Sequence, residues 1–213
     1  MMEESIRWLQ EKRIQKTLKA LRGRGFRAHY FSAPTSAAQW VLEEARDATF
    51  IGVGGSVTVR ELGVVEVLQE QGKTLFDHWQ VEDPHEALKV RRSQLTCDLF
   101  LSGINAVTES GEIVNMDGSG NRVAAMAFGP RKVILVGGIN KLVSNLDEAY
   151  RRIRRIAAPV NAHRLGLKTP CAKGGECTDC DSPQRICNVS LVLHRRPIFS
   201  DVAVVLIGRS MGY

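Results

Sequence analysis

Apolar residues along this chain follow two periods, and the switches between them divide it into elements. Ile14, Leu18 and Leu21 recur at i, i+4 and i+7 among lysines and arginines, which predicts an amphipathic helix ended by Gly23 and Gly25. After Ala33-Pro34, Ser36 and Gln39 have capping-box spacing and predict a second helix to about Arg46. Residues 49–53 are a short apolar run ending in glycines, hence a buried strand. The alternation continues with a helix near 60–71, a strand at 74–76, a helix near 84–95 and a strand at 98–101. Residues 106–109 and 112–115 flank Ser110-Gly111 as a hairpin, and 122–127 reads as a short helix. Residues 132–136 (KVILV) form an unbroken apolar strand. Asn145 with Glu148 then opens a helix to about Ala158, and 189–193 and 202–207 are closing strands. The stretch 163–188 has neither period and reads as a loop held by its side-chain chemistry.

Strands alternating with helices predict an α/β fold with a largely parallel sheet covered on both faces. With 213 residues, 44% hydrophobic and 24% charged, the chain has a folded protein's composition, and one domain over 1–213 is expected. No apolar run reaches the roughly 18–20 residues of a membrane span. The N-terminal residues are charged and lack the apolar core of a secretory signal, so a cytoplasmic location is expected. The net charge of +6 is unevenly spread. Residues 1–130 carry 15 Lys/Arg against 17 Asp/Glu, whereas 131–213 carry 14 against 6.

Four of the five cysteines, Cys171, Cys177, Cys180 and Cys187, also fall within 17 residues of the basic half, spaced C-x5-C-x2-C-x6-C. Thiols in a cytosolic chain stay reduced, which argues against disulfides. Zinc ribbons use two C-x2-C knuckles and this loop has one, whereas an iron–sulfur cluster spans more space and tolerates irregular spacing. A [4Fe–4S] cluster on the four cysteines is therefore preferred, with zinc as the alternative. Cys97 reads as a buried small hydrophobe, and His163 as a polar loop residue beside the cysteines.

Gly52-Val-Gly54-Gly55-Ser56-Val-Thr58 follows a buried strand and precedes a helix. Gly54 and Gly55 allow close ligand approach, and Ser56 and Thr58 add hydroxyls for a phosphate or carboxylate, although a tight strand–helix turn also explains them. Asn115, Asp117, Asn121 and Arg122 cluster around Gly118 and Gly120. They can line an anion site, with Arg122 holding the charge, or serve as turn and cap residues. Glu109, at a strand end, is the candidate base or nucleophile. In Arg151-Arg152-Ile153-Arg154-Arg155, the apolar stripe of Leu146, Ala149, Tyr150, Ile153 and Ala157 leaves the arginines on an outer, solvated face. Nucleic acid is not indicated, since no aromatic stacking surface accompanies them and only 6% of residues are aromatic.

Together, Thr108-Glu-Ser-Gly111, Asn115-x-Asp117-Gly-x-Gly-Asn121-Arg122-Val-Ala-Ala, Ala158-Pro-Val-Asn161-Ala and Pro170-Cys171 through Cys187-Asn188 resemble the LUD (lactate-utilisation) domain family. The likeness runs from about residue 5 to Tyr213, and the C-terminal cysteine loop marks a stand-alone subgroup. The resemblance implies a fold similar to sugar-phosphate isomerases and CoA transferases, an α/β sandwich around a central sheet. It implies a part in iron–sulfur-dependent oxidation of lactate or another 2-hydroxy acid, as an oxidoreductase subunit among redox partner subunits. It implies a phosphate or CoA-type ligand at Gly52–Thr58, and likens Glu109 to the acyl-accepting glutamate of CoA transferases. The expected ligand is a small anion: a 2-hydroxy or 2-oxo acid, or a phosphate-bearing molecule. Further copies of the chain are potential partners, and a membrane is not. The alternative is a non-redox ligand-binding, CoA-transferase-like or isomerase-like protein with a structural metal loop. Lys168, Lys173, Arg185, Arg195 and Arg196 lie close in sequence to the loop and are expected to stabilise an anionic metal centre.

Overall fold

The computed structural model describes residues 2–213. Six strands form a parallel sheet: β1 (Arg27–Phe31), β2 (Phe50–Val53), β3 (Thr74–Asp77), β4 (Leu99–Gly103), β7 (Lys132–Gly138) and β10 (Asp201–Ile207). Their order is β1-β10-β7-β4-β2-β3. Four more, β5 (Ala106–Thr108), β6 (Ile113–Asp117), β8 (Leu142–Val143) and β9 (Val189–Leu193), make a second sheet in the order β8-β5-β6-β9. The helices are α1 (Met2–Gly23), α2 (Pro34–Glu44), α3 (Val57–Glu61), α4 (Val64–Glu70), α5 (Pro84–Ser93), α6 (Asn121–Ala127), α7 (Leu146–Arg152), α8 (Ala158–Arg164) and α9 (Pro170–Gly174).

The unbroken apolar runs form the centre of the large sheet because both of its faces are covered. Val133 and Leu135 of β7 and Val202, Val204 and Leu206 of β10 pack with Ile14, Leu18 and Leu21 of α1 and Met126 of α6. The alternate residues, Ile134, Val136, Ala203, Val205 and Ile207, pack on the other face with Ala37 and Val41 of α2 and Val64, Val65 and Leu68 of α4. Each fully buried Leu, Ile or Val contributes roughly 1.5–3 kcal/mol. A third cluster joins Ala106 and Val114 of the small sheet to Ala149 of α7 and to Ile153.

Several expected elements differ. β1 has no apolar run to announce it: it is an edge strand with only Ala28 buried, pinned by Arg27 to Glu44 (2.8 Å) and Asp201 (2.9 Å). The Ser36 capping box does not form. α2 starts at Pro34 behind Ala33, which offers no side-chain cap, and proline's fixed φ suits the first helical turn. The helix expected at 60–71 is broken at Gly63, whose φ of +68° ends one helix and starts the next. The hairpin forms as expected, but with 189–193 it builds the second sheet and leaves the parallel one. The Asn145 cap is present: its side chain accepts from Glu148 N at 3.0 Å, and Glu148 accepts from Ser144 N at 3.0 Å. Its helix does not stop at Ala158. It continues through a π turn at Ile153–Ala157 into α8, the wider turn accommodating Pro159, which has no N–H to give.

Candidate functional site

β2 leads outward to β3, whereas β4 leads the opposite way to β7, so the carboxyl ends of β2 and β4 form the sheet's switch point. Open α/β sheets bind ligands there. A pocket of about 350 Å³ occupies it, and five of the six strands send residues to its lining. Gly54–Thr58 follow β2, His78 and Trp79 follow β3, Gly103–Asn105 end β4, Lys141 follows β7, and Gly212 and Tyr213 follow β10.

The glycine loop is packed to the limit. A Cβ at Gly54 would lie 2.7 Å from Phe100 Cζ and 2.8 Å from Ser102 Oγ, and Gly55 has a φ of +60° with Trp79 Nε1 2.9 Å from where its Cβ would be. Only glycine fits at both positions. Ser56 and Thr58 line the pocket, but both hydroxyls also hold the backbone: Ser56 Oγ accepts from Val59 N at 3.3 Å, and Thr58 donates to Met211 O at 3.4 Å.

Across the pocket, Asp117 accepts from Arg122 N at 2.8 Å, and Arg122 Nη2 donates to Met116 O at 2.7 Å. Asn121 donates to Gln94 Oε1 at 3.1 Å, and Gln94 lies 3.2 Å from His78 Nδ1. Asn115 is enclosed beneath the lining. Its side-chain oxygen accepts from Asn105 N at 3.0 Å, while its buried Nδ2 has no hydrogen-bond partner. Arg164 of α8 stacks on Trp79 (4.8 Å) and donates to Tyr213 Oη at 2.6 Å, closing one side of the rim.

The pocket is strongly cationic. Among the described lining side chains, Arg91, Arg122, Lys141 and Arg164 face one carboxylate, Asp117. Burial lowers the pKa of Arg122, pushes His78 down to about 4 with help from Arg91, and lowers Lys141 to about 7 with help from Arg152. His78 is therefore neutral near pH 7 and leaves the arginines to supply fixed positive charge.

Glu109 does not join this site. Its carboxylate pairs with Arg13 (2.6 Å) and Lys16 (3.0 Å) of α1, Lys16 foremost holding it below the usual carboxylate range. The rest of its motif docks the same helix. Arg24 donates to Ser110 O at 2.5 Å and pairs with Glu112, while Gly111 (φ +89°) would put a Cβ 2.9 Å from the α1 backbone. The arginine run also divides. Arg152 is turned inward, its Nε on Asn140 O and Nη1 on Asn105 O, both at 2.7 Å, contrary to the solvated face expected for it. Arg151, Arg154 and Arg155 stay outside, along a groove they share with Cys177.

The cysteine loop contacts the pocket. Ile186 and Cys187 are among its lining residues, and Asn188 anchors the loop's end on Asp117 O (3.0 Å) and Gly118 O (3.1 Å). Arg185 holds the loop from inside, donating to Cys180 O at 2.9 Å and Cys187 O at 3.3 Å. Arg195 and Arg196 bond elsewhere, to Gly23 O and to the carbonyls of Pro197, Ile198 and Ser200. Cys177 and Cys180 are near enough to Cys187 to help burial raise its thiol pKa, and Cys171 lies 3.4 Å from Thr169 Oγ1. All five cysteines are free thiols, Cys97 deep in the core, and His163 bonds Ala172 O at 3.1 Å. Among the described residues no three acidic, His or Cys side chains are drawn together as a metal site.

The sequence model of the LUD domain family matches residues 14–207. The chain belongs to the LUD domain family. This LUD-domain chain also aligns with the crystal structure of a DUF162 family protein from Deinococcus radiodurans, solved at 1.70 Å. The TM-score is 0.55 over 93% of this chain and 98% of that one, at 12% identity, which establishes a common fold. No curated protein matches the chain. No helix among the described residues of the LUD-domain chain is long and apolar enough to cross a membrane.

Proposed function

We propose that this LUD-domain protein binds a small 2-hydroxy or 2-oxo acid in the strand-end pocket, next to a [4Fe–4S] cluster on Cys171, Cys177, Cys180 and Cys187. Its role is that of a component in the oxidation of lactate or a related acid. The observation that carries this reading is the shared position of Cys187, which ends the cysteine loop and also lines the cationic pocket.

The loop's chemistry fits such a cluster. Four thiols with no disulfide lie on a segment that turns sharply at Gly175 (φ +74°) and at Asp179 (φ +50°), the described chain's sole non-glycine residue with positive φ. A bend between Cys177 and Cys180 lets neighbouring sulfurs aim at one centre, and Arg185 offsets the negative charge of thiolates. A bound cluster supplies one-electron transfer, so a two-electron oxidation also requires partner carriers. The chain's own residues bind and orient: Arg122 or Arg164 takes the carboxylate, and neutral His78 and Asn121 offer hydrogen bonds to the substrate oxygens. A reducing cytoplasm is the setting in which four thiols remain ready for metal.

Anaerobic reconstitution with iron and sulfide tests the reading. Brown protein with broad absorbance near about 400 nm that bleaches with dithionite is expected. Colourless protein holding one zinc per chain overturns it and favours a non-redox ligand-binding or transferase protein with a structural loop. Calorimetry with lactate, pyruvate and phosphate identifies the anion class.

A further inference from the structure

The outer side of the helical stretch that carries the π turn takes no part in the strand-end pocket. From Ala149 to Gly175 the chain holds seven Lys or Arg and no Asp or Glu. Arg152 turns inward and Arg164 joins the pocket rim, whereas Arg151, Arg154 and Arg155 line a groove with Cys177. Asp147 and Glu176 are its acidic side chains, against those three arginines. Arg154 and Arg155 are exposed and, among the described residues, make no hydrogen bond or ion pair. Ile156 (46%) and Val160 (43%), one turn apart on the same stretch, are exposed too. Arginines among exposed apolar side chains are the composition of a protein interface. None of the groove's described lining residues is buried, which suits a protein face better than a small molecule, whose sites enclose it.

We propose that this groove is the docking face for an acidic electron-carrier protein, drawn to Cys177 by Arg151, Arg154 and Arg155. The inference rests on the cluster reading above and adds a direction to it. Cys187 lines the substrate pocket and Cys177, the one fully exposed cysteine, lines the groove, so the loop presents one cysteine to each side. The carrier's oxidised centre gains one electron per encounter, the loop's cluster loses it, and no bond is made or broken. Two encounters complete a two-electron oxidation. Redox encounters are small and short-lived, and charges at such a face raise the association rate more than the affinity.

Association of the reconstituted full-length protein with an acidic plant-type ferredoxin is followed by biosensor, with a basic cytochrome c as the probe of opposite charge. The ferredoxin association rate is expected to fall about 10-fold or more between about 20 and about 300 mM salt. Arg154→Glu/Arg155→Glu is expected to lower it about 10-fold at low salt, and Arg154→Gln/Arg155→Gln by an intermediate factor. Lys12→Glu/Lys19→Glu makes the same change of net charge on exposed residues of α1 and is expected to alter it less than about 2-fold. Each variant is checked for native circular dichroism and equal iron content. Equal losses in the groove and α1 variants, brown protein that binds no ferredoxin, or preference for cytochrome c or a single-stranded RNA oligonucleotide overturns the docking face and leaves the cluster reading standing. Colourless protein with one zinc per chain overturns both.

Discussion

The strand-end pocket and the cysteine loop meet at Cys187, and they are held in opposite ways. Around the pocket, backbone and side chains are fixed by the sheet: Gly54 N donates to Leu101 O at 2.8 Å, Ile104 N donates to Val136 O at 3.1 Å, and Gly54 and Gly103 have almost no spare space. In the loop, a Cβ at Gly174 or Gly175 would meet nothing within 4 Å, regular structure is limited to the five residues of α9, and Cys177 is exposed. One region is organised by burial before any ligand arrives. The other holds its course through Arg185, Asn188 and Thr169.

The sharpest test of that contrast pairs two glycines. Gly54→Val should cost about 3 kcal/mol in urea unfolding, because overpacking forces Phe100 and Ser102 to move. Gly174→Ala should stay within about 1 kcal/mol and lean toward stabilisation. Equal losses would abolish the distinction. Next, Arg122→Met should weaken pyruvate or lactate binding about 10-fold or more by calorimetry, while leaving metal uptake by the cysteines intact.

Lys141→Met should change stability in a pH-dependent way, since burial disfavours the charged form of this lysine. The folded pKa of about 7 lies below the ordinary 10.5, so the lysine's unfavourable contribution is full below 7 and fades as pH rises toward 10.5. The unfolding midpoint of the variant relative to the parent should therefore be higher at about pH 6 than at about pH 9. The smallest effect is expected at Glu109→Gln, roughly 0.5–1 kcal/mol from its solvent-screened pairs with Arg13 and Lys16, with no change in ligand affinity. A loss of binding there would move the functional centre to the α1 docking turn.

The strongly patterned elements were legible because burial on both faces writes itself into composition, as in residues 132–136 and 202–207. β1 was not, because an edge strand with one buried residue leaves no such run. Gly54, Gly55, Asp117, Asn121 and Arg122, which line one pocket, were legible as candidates since glycines after a strand and an arginine opening a helix carry local signatures. Lys141 and His78 had none. Their character comes from neighbours distant in sequence, Arg152 and Arg91 among them, which only folding supplies. Glu109 shows the reverse case: a short motif suggested chemistry, and its residues fasten a helix.

The π turn at Ile153–Ala157 ties the two regions together. Each residue of a helix advances its phase by about 100°, so one extra or missing residue there would swing everything that follows around the axis. Asn161 and Arg164 would rotate off the pocket, and the cysteine loop would start from another side of the molecule. The five residues thus act as a phase lock. Length changes in this stretch should be far less tolerated than substitutions, and relatives that share the pocket and the loop should share its residue count.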